Sequence, residues 1–171
     1  ILINVYLHER AFDKAAEVSR ALQSAAPDSP SPHIGEGLAL SGKKAWKDAI
    51  TAFERALEIS PNHIGASYAL ANIYLQTSEL EQVRRIYAGI LEYRPGHLQT
   101  LMRWIGLETK EDDKKQINAL IARAIESNPE AVAPHILAAQ TLLDENQPIR
   151  AIASLSELLR NKPNNAGLLQ I

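Results

Sequence analysis

The octapeptide ALEISPNH, residues 56–63, has a near-copy in ILEYRPGH, residues 90–97. Both read as a helical run that stops at a proline. The spacing runs through the whole chain: Pro27, Pro61, Pro95, Pro129 and Pro163 stand 34 residues apart, with no insertion or deletion. A fixed period between about 20 and 50 residues marks a repeat array, in which each unit buries its apolar face only against its neighbours. Proline lacks the N–H that a helix interior needs and turns the residue before it away from helical angles. Each phased proline therefore ends one helix and sets the angle of the next.

Working outward from Pro61, each period holds two amphipathic helical stretches. In WKDAITAFERALEIS, residues 46–60, the apolar residues Trp46, Ala49, Ile50, Phe53, Ala56 and Leu57 recur at the spacing of one helical face. Asp48, Glu54, Arg55 and Glu58 take the other side. The stretch PHIGEGLALSG before it supplies the first helix of the pair. Small residues share repeat positions: Gly37, Ala71 and Ala139 at one, Ala15, Ala49 and Ala151 at another. Large residues recur one turn later, at Phe53, Tyr87, Ile121 and Leu155. This alternation lets two helices approach closely and interdigitate without voids. Turns within the pairs are expected near residues 10, 43, 78, 112 and 146, and no β-sheet is expected.

The chain has 171 residues, 46% hydrophobic and 22% charged, a formal net charge of -2 and a pI of about 6.2. That balance argues against a nucleic-acid partner held through phosphates. No apolar run reaches the ~18 residues of a membrane-spanning helix. There is no cysteine, which excludes disulfides, thiolate metal sites and a cysteine nucleophile.

The pattern resembles the tetratricopeptide repeat, whose motif sets a small residue, an aromatic, a second small residue and a proline at fixed offsets in 34 residues. The best copy reads Ala49, Phe53, Ala56, Pro61. Others give Ala15, Leu22 and Pro27; Tyr74, Tyr87 and Pro95; Ala124 and Pro129; Ala151 and Pro163. The resemblance implies an all-α, right-handed superhelical solenoid of antiparallel helix pairs. Full repeats are expected at 30–63, 64–97, 98–131 and 132–165, a partial one at 1–29, and the start of another at 166–171. The stretches YRPGHLQTLMRWIGLE, ARAIESNPEAVAPHILAAQTLL and ENQPIRAIASLSELLRNKPNNAGLL also resemble the repeat lipoproteins of the bacterial exosortase/PEP-CTERM system. That likeness implies a periplasmic or cell-envelope protein linked to exopolysaccharide export, with its lipid-bearing cysteine upstream of Ile1; the alternative location is cytoplasmic.

Two features imitate chemical sites. GLALSGKK, from Gly37 to Lys44, nearly fits the phosphate-loop pattern. It ends in Lys44, so it lacks the hydroxyl that would bind magnesium, and it lies on a helix, where its backbone donors are already used. His63 and His97 share a position just after the prolines and are read as solvated loop residues. A metal site needs three or four ligands, and nothing else with ligand chemistry recurs there. His33 and His135 share a position near the starts of first helices, where partial burial is expected. No nucleophile elbow or paired-histidine metal motif is present. Neither catalysis nor any metal or cofactor is expected of this segment.

In tetratricopeptide proteins the first helices line the concave surface. The chaperone-binding members clamp a terminal carboxylate there with asparagines and basic residues. Asn4 and Asn72 fall at one clamp asparagine position, but Tyr68 replaces a lysine, Gly35, Gly65 and Ala69 occupy other clamp positions, and only Arg103 is basic. What remains is a mixed groove for a protein or peptide partner: Asn4, His8, Ile34, Leu38, Tyr68 and Asn72, continuing through Gln76, Met102, Arg103, Ile136 and Gln140. The fourth repeat breaks the pattern. Ile105 and Ile117 replace small residues, Glu108 replaces an aromatic, and KEDDKK forms its turn. A distortion or a functional contact is expected there.

The function expected on these grounds is a non-catalytic protein-interaction scaffold. The alternative is the recognition arm of a larger enzyme, such as a glycosyltransferase or hydroxylase, with its catalytic domain elsewhere. The apolar residues Leu2, Val5 and Tyr6, and Leu168, Leu169 and Ile171, lie at the ends of the array. They are expected to drive association through terminal repeats at high concentration, as a result of truncation.

Overall fold

The computed structural model describes residues 2–161. These residues form ten α-helices and no strand: α1 Leu2–His8, α2 Phe12–Ala25, α3 Pro30–Gly42, α4 Trp46–Ile59, α5 Ile64–Gln76, α6 Leu80–Tyr93, α7 Leu98–Glu111, α8 Lys114–Ser127, α9 Val132–Asp144 and α10 Pro148–Asn161. Pro163 and the C-terminal apolar residues Leu168, Leu169 and Ile171 lie outside the described residues. Packing gathers the helices into two compact units that divide between Tyr93 and Arg94. Within each unit, consecutive helices pack on one another as hairpins.

The phased prolines act as stops. Helices α2, α4, α6 and α8 end two residues before Pro27, Pro61, Pro95 and Pro129. The intervening residue leaves helical angles, with ψ at 70° for Ala26, 83° for Ser60 and 64° for Asn128. The prolyl ring demands that departure.

The first helices end by a different device, repeated in the same phase. Arg10, Lys44, Ser78, Asp112 and Asn146 all adopt the left-handed conformation, with φ between 57° and 62°. In each case the next N–H reaches back five residues: Ala11 to Tyr6 O at 2.8 Å, Ala45 to Leu40 O at 3.0 Å, Glu79 to Tyr74 O at 2.8 Å, Asp113 to Glu108 O at 3.2 Å and Gln147 to Leu142 O at 2.8 Å. This is the long bond of a Schellman motif, which satisfies carbonyls that the helix end leaves open. Glycine is the cheapest residue at that φ, yet none of the five is glycine.

In the first unit Ala49, Phe53 and Ala56 from α4 meet Ala66, Leu70 and Ile73 from α5 in one core, with Trp46, Ile50 and Leu57 packed at its edge. The apolar face read from the sequence is thus the buried one. A Cβ built on Gly37 would fall 2.8, 2.9 and 2.9 Å from three atoms of the Phe53 ring, so α3 and α4 are closer than a methyl group permits. Ala15, Ala49, Ala71, Ala139 and Ala151 are buried as well. Hairpins are also tied at their bases. Tyr93 Oη donates to Asn62 O (3.1 Å) in the first unit, and Asn128 Nδ2 donates to Gly96 O (3.0 Å) in the second.

Candidate functional site

The residues read as a groove all lie on first helices, α1, α3, α5, α7 and α9, and none is fully buried. Asn4, His8, Leu38, Asn72, Gln76, Arg103 and Gln140 are exposed; Ile34, Tyr68, Met102 and Ile136 are half-buried. The first unit brings three of them together. Leu38 on α3 and Asn72 and Gln76 on α5 line one recess of about 460 Å³. Its remaining wall includes Trp46, Ala69 and Ile73. Ser41 also lines it, and the buried Ser41 Oγ has no hydrogen-bond partner among the described residues. Buried hydroxyls rarely go unpaired, so an orphan beside an open cleft is a group a ligand could satisfy.

The other groove residues of this unit stand apart from the recess. Asn4 and His8 line a separate depression with Val5 and Glu9. Ile34 packs against the core. The Tyr68 ring meets the buried Tyr87 ring edge-on, with centroids 6.4 Å apart and planes at 80°, so it has a packing role of its own.

The second unit holds a recess of about 380 Å³ between α7, α8 and α9. Of the predicted groove residues, Gln140 lines it, and Met102, Arg103 and Ile136 do not. The two recesses occupy one repeat position, two periods apart. Thr109 stands for Ser41, Lys114 for Trp46, Leu137 for Ala69, Gln140 for Asn72 and Asp144 for Gln76. At the turn end of the cleft Gln76 was among the predicted groove residues, and Thr109, Asp112, Lys114, Asp144 and Glu145 were not. Their signal was present in the sequence, because the recess of the second unit falls on the fourth repeat, where Ile105, Ile117 and the KEDDKK turn break the pattern.

Glu108, which replaces an aromatic in that repeat, is buried, and its Oε1 accepts a hydrogen bond from Trp104 Nε1 at 2.7 Å. Its carboxylate is therefore held inside the fold by an indole one turn away and does not reach out to solvent. The paired histidines also differ from the solvated loop residues expected. His63 Nδ1 accepts from Ala66 N at 3.0 Å, and His97 Nδ1 lies 2.8 Å from Thr100 Oγ1 and 3.4 Å from Thr100 N. Both are N-caps of the helices they precede, α5 and α7. Satisfying an open N–H at a helix start is a stabilising role that serine, threonine and aspartate usually fill. His33 and His135 are half-buried.

The phosphate-loop imitation lies on α3 and its Schellman turn. Lys43 N bonds Ala39 O and Leu40 O, and Lys44 N bonds Ser41 O, so the donors are spent inside the helix end. Among the described residues no cluster of three or more metal-capable side chains occurs, and no helix is long and apolar enough to cross a membrane.

Comparison with known proteins agrees with this architecture. The family profile of the tetratricopeptide repeat matches residues 40–105. Tetratricopeptide repeat protein 17 of Danio rerio is 33% identical over 52 residues, 30% of this chain and 4% of that protein's length. Among solved structures, a MamA crystal structure superimposes with a TM-score of 0.71 at 11% identity, covering 98% of each chain. MamA from Desulfovibrio magneticus RS-1 gives 0.62 at 18% identity, covering 94% of this chain and 93% of that one. YrrB, described as a TPR protein with an unusual peptide-binding site, gives 0.61 at 14% identity, covering 98% of this chain and 86% of that one. At these identities the likeness establishes the fold, an all-α solenoid of tetratricopeptide type.

Proposed function

We propose that this chain is a protein-interaction module that holds linear peptide segments in recesses between the first helices of neighbouring repeats. The observation that carries the reading is the recurrence of a recess at one repeat position in both units, each with an apolar floor and an amide at its mouth, Asn72 in one and Gln140 in the other. The orphan Ser41 hydroxyl in the first recess supports it. Solenoids of stacked helix pairs offer extended surfaces of this kind, and apolar anchors with scattered hydrogen-bonding groups suit a peptide. The YrrB neighbour, a peptide-binding protein of the same fold, is consistent with it.

A display selection of random linear peptides against the chain tests the reading. Enriched sequences are expected to lose binding by about tenfold or more when the lining of one recess is changed, as in Asn72→Ala with Gln76→Ala, or Gln140→Ala with Thr141→Ala. A selection that enriches nothing, or sequences indifferent to both pairs, overturns it. A bacterial cell-envelope location and a link to exopolysaccharide export belong to this proposal, supported by the three stretches that resemble the exosortase/PEP-CTERM repeat lipoproteins. Fractionation of cells that produce the protein checks the location.

A further inference from the structure

The two recesses share a position but differ in floor and in charge. In the first unit Gly37 stands close against the Phe53 ring, Ala49 is buried in the same core and Trp46 lines the recess. In the second unit those positions read Ile105, Ile121, Ile117 and Lys114. Ile121 is shorter than a phenylalanine ring, and Lys114 stands where the Trp46 indole lines the first recess. Ile105 and Ile117 put branched aliphatic chains where the first unit has Gly37 and Ala49. The recess reaches in to Ile105 and Ile121, which are buried, as well as to Ile117 and Leu137, so its floor is four aliphatic side chains.

The rim is charged. Asp112, Asp144 and Glu145 line the mouth against a single ammonium, Lys114, and all four are exposed. Asp112 is placed there by its left-handed backbone in the Schellman turn. None of the four makes an ion pair among the described residues, and the recess of the first unit has no charged lining residue at all. Gln140 and Asn118 add two side-chain amides to the wall, and neither is hydrogen-bonded among the described residues.

Resting on the peptide-binding reading above, we propose that the recess of the second unit takes one apolar side chain of a linear peptide whose flanking residues are lysine or arginine. A volume of about 380 Å³ is near the lower end of ligand clefts and suits a single aliphatic or aromatic anchor with the main chain around it. The aliphatic floor supplies the desolvation of that anchor. Three carboxylates at the mouth attract ammonium or guanidinium groups beside it and repel an acidic peptide, which sets specificity more than affinity. The free amides of Gln140 and Asn118 can meet the peptide backbone.

The test uses three fluorescein-labelled peptides on the whole chain, read by anisotropy. One carries a single phenylalanine between arginines, one has glutamates in place of the arginines, and one has alanine in place of the phenylalanine. The first is expected to bind about tenfold or more tighter than either other, and to weaken at high salt. Asp144→Asn with Glu145→Gln is expected to weaken it by about three- to tenfold while leaving the thermal melt unchanged or raised, since both residues are exposed at a helix C-terminal end where negative charge is unfavourable. Asn72→Ala with Gln76→Ala, in the other recess, is expected to leave it unchanged. If the charge-removing pair keeps full affinity, or the glutamate peptide binds as well, the proposal is overturned. If the arginine peptide binds but loses affinity only through the Asn72 and Gln76 pair, this assignment fails and the module reading stands. If none of the three binds at millimolar concentration, the proposal falls, and whether the display selection enriches other peptides decides the module reading separately.

Discussion

Gly37→Ala isolates the close approach of α3 to the Phe53 ring of α4. The substitution has two opposed effects. Alanine is a better helix former than glycine by about 0.8–1.0 kcal/mol in a helix interior. Against this, the new methyl carbon would meet three atoms of the Phe53 ring at 2.8, 2.9 and 2.9 Å. Comfortable carbon–carbon contact begins near 3.5 Å, so the ring has to retreat by about 0.6–0.7 Å. Phe53 has 0% exposure and is enclosed by Ala49, Ala56 and Leu70, so it has no free direction. Overpacking of that kind costs about 1–3 kcal/mol. The net expectation is a loss of about 0–2 kcal/mol. Gly89→Ala, within α6 of the same unit, is the control: a Cβ there meets nothing within 4 Å, and the substitution should gain about 0.5–1 kcal/mol. Urea unfolding followed by circular dichroism should therefore separate the two variants by about 1–3 kcal/mol. Adding Phe53→Leu should recover part of the Gly37→Ala loss, with a coupling of about 0.5–3 kcal/mol in the double-mutant cycle. Equal midpoints for the two alanine variants, or an additive cycle, would refute the close-approach argument.

Three further pairs of substitutions test the helix ends and the buried face. Lys44→Gly should raise stability by up to about 1 kcal/mol in urea melts, because an L-residue at φ 59° is disfavoured by about 1–2 kcal/mol and glycine gives back part of that as chain entropy; Asn146→Gly should gain less, since asparagine tolerates the left-handed region. His63→Ala should cost about 1 kcal/mol by removing the N-cap of α5, and His63→Asn should restore most of it; no loss in the alanine variant would mean the cap is energetically idle. Ala49→Trp, at a fully buried position, should cost about 1–3 kcal/mol or more, whereas Lys47→Ala, exposed on the same helix, should stay within about 0.5 kcal/mol; equal losses would contradict the burial of this face.

Legibility in the sequence followed the range of the physics. Helix pairing could be read because its causes are local and repeated. A proline at a fixed phase stops a helix whatever surrounds it, and the 3.6-residue spacing of Trp46, Ala49, Phe53 and Ala56 needs no partner to be recognised. The positions of the turns were legible, but their mechanism was not. A glycine would have announced a left-handed cap; Arg10, Lys44 and Ser78 carry no such mark, and only the backbone bonds to Tyr6, Leu40 and Tyr74 reveal the motif. The histidine caps were hidden in the same way, since His63 looks like any loop residue until its ring nitrogen is found against Ala66 N.

For the candidate site, the repeat register alone placed Leu38, Asn72, Gln76 and Gln140 on first helices and exposed. It also grouped Tyr68 with them, though the Tyr68 ring is half-buried against Tyr87. Which part of a cleft is hollow is set by residues far apart in the chain acting together. Trp46 lines one recess where Lys114 lines the other, and Ile105 and Ile121 stand where the first unit has Gly37 and Phe53. Period and face are one-dimensional properties that a pattern of residues determines by itself. A void is the volume that three packed helices fail to fill, so only their tertiary arrangement decided where it lies and which charges surround it.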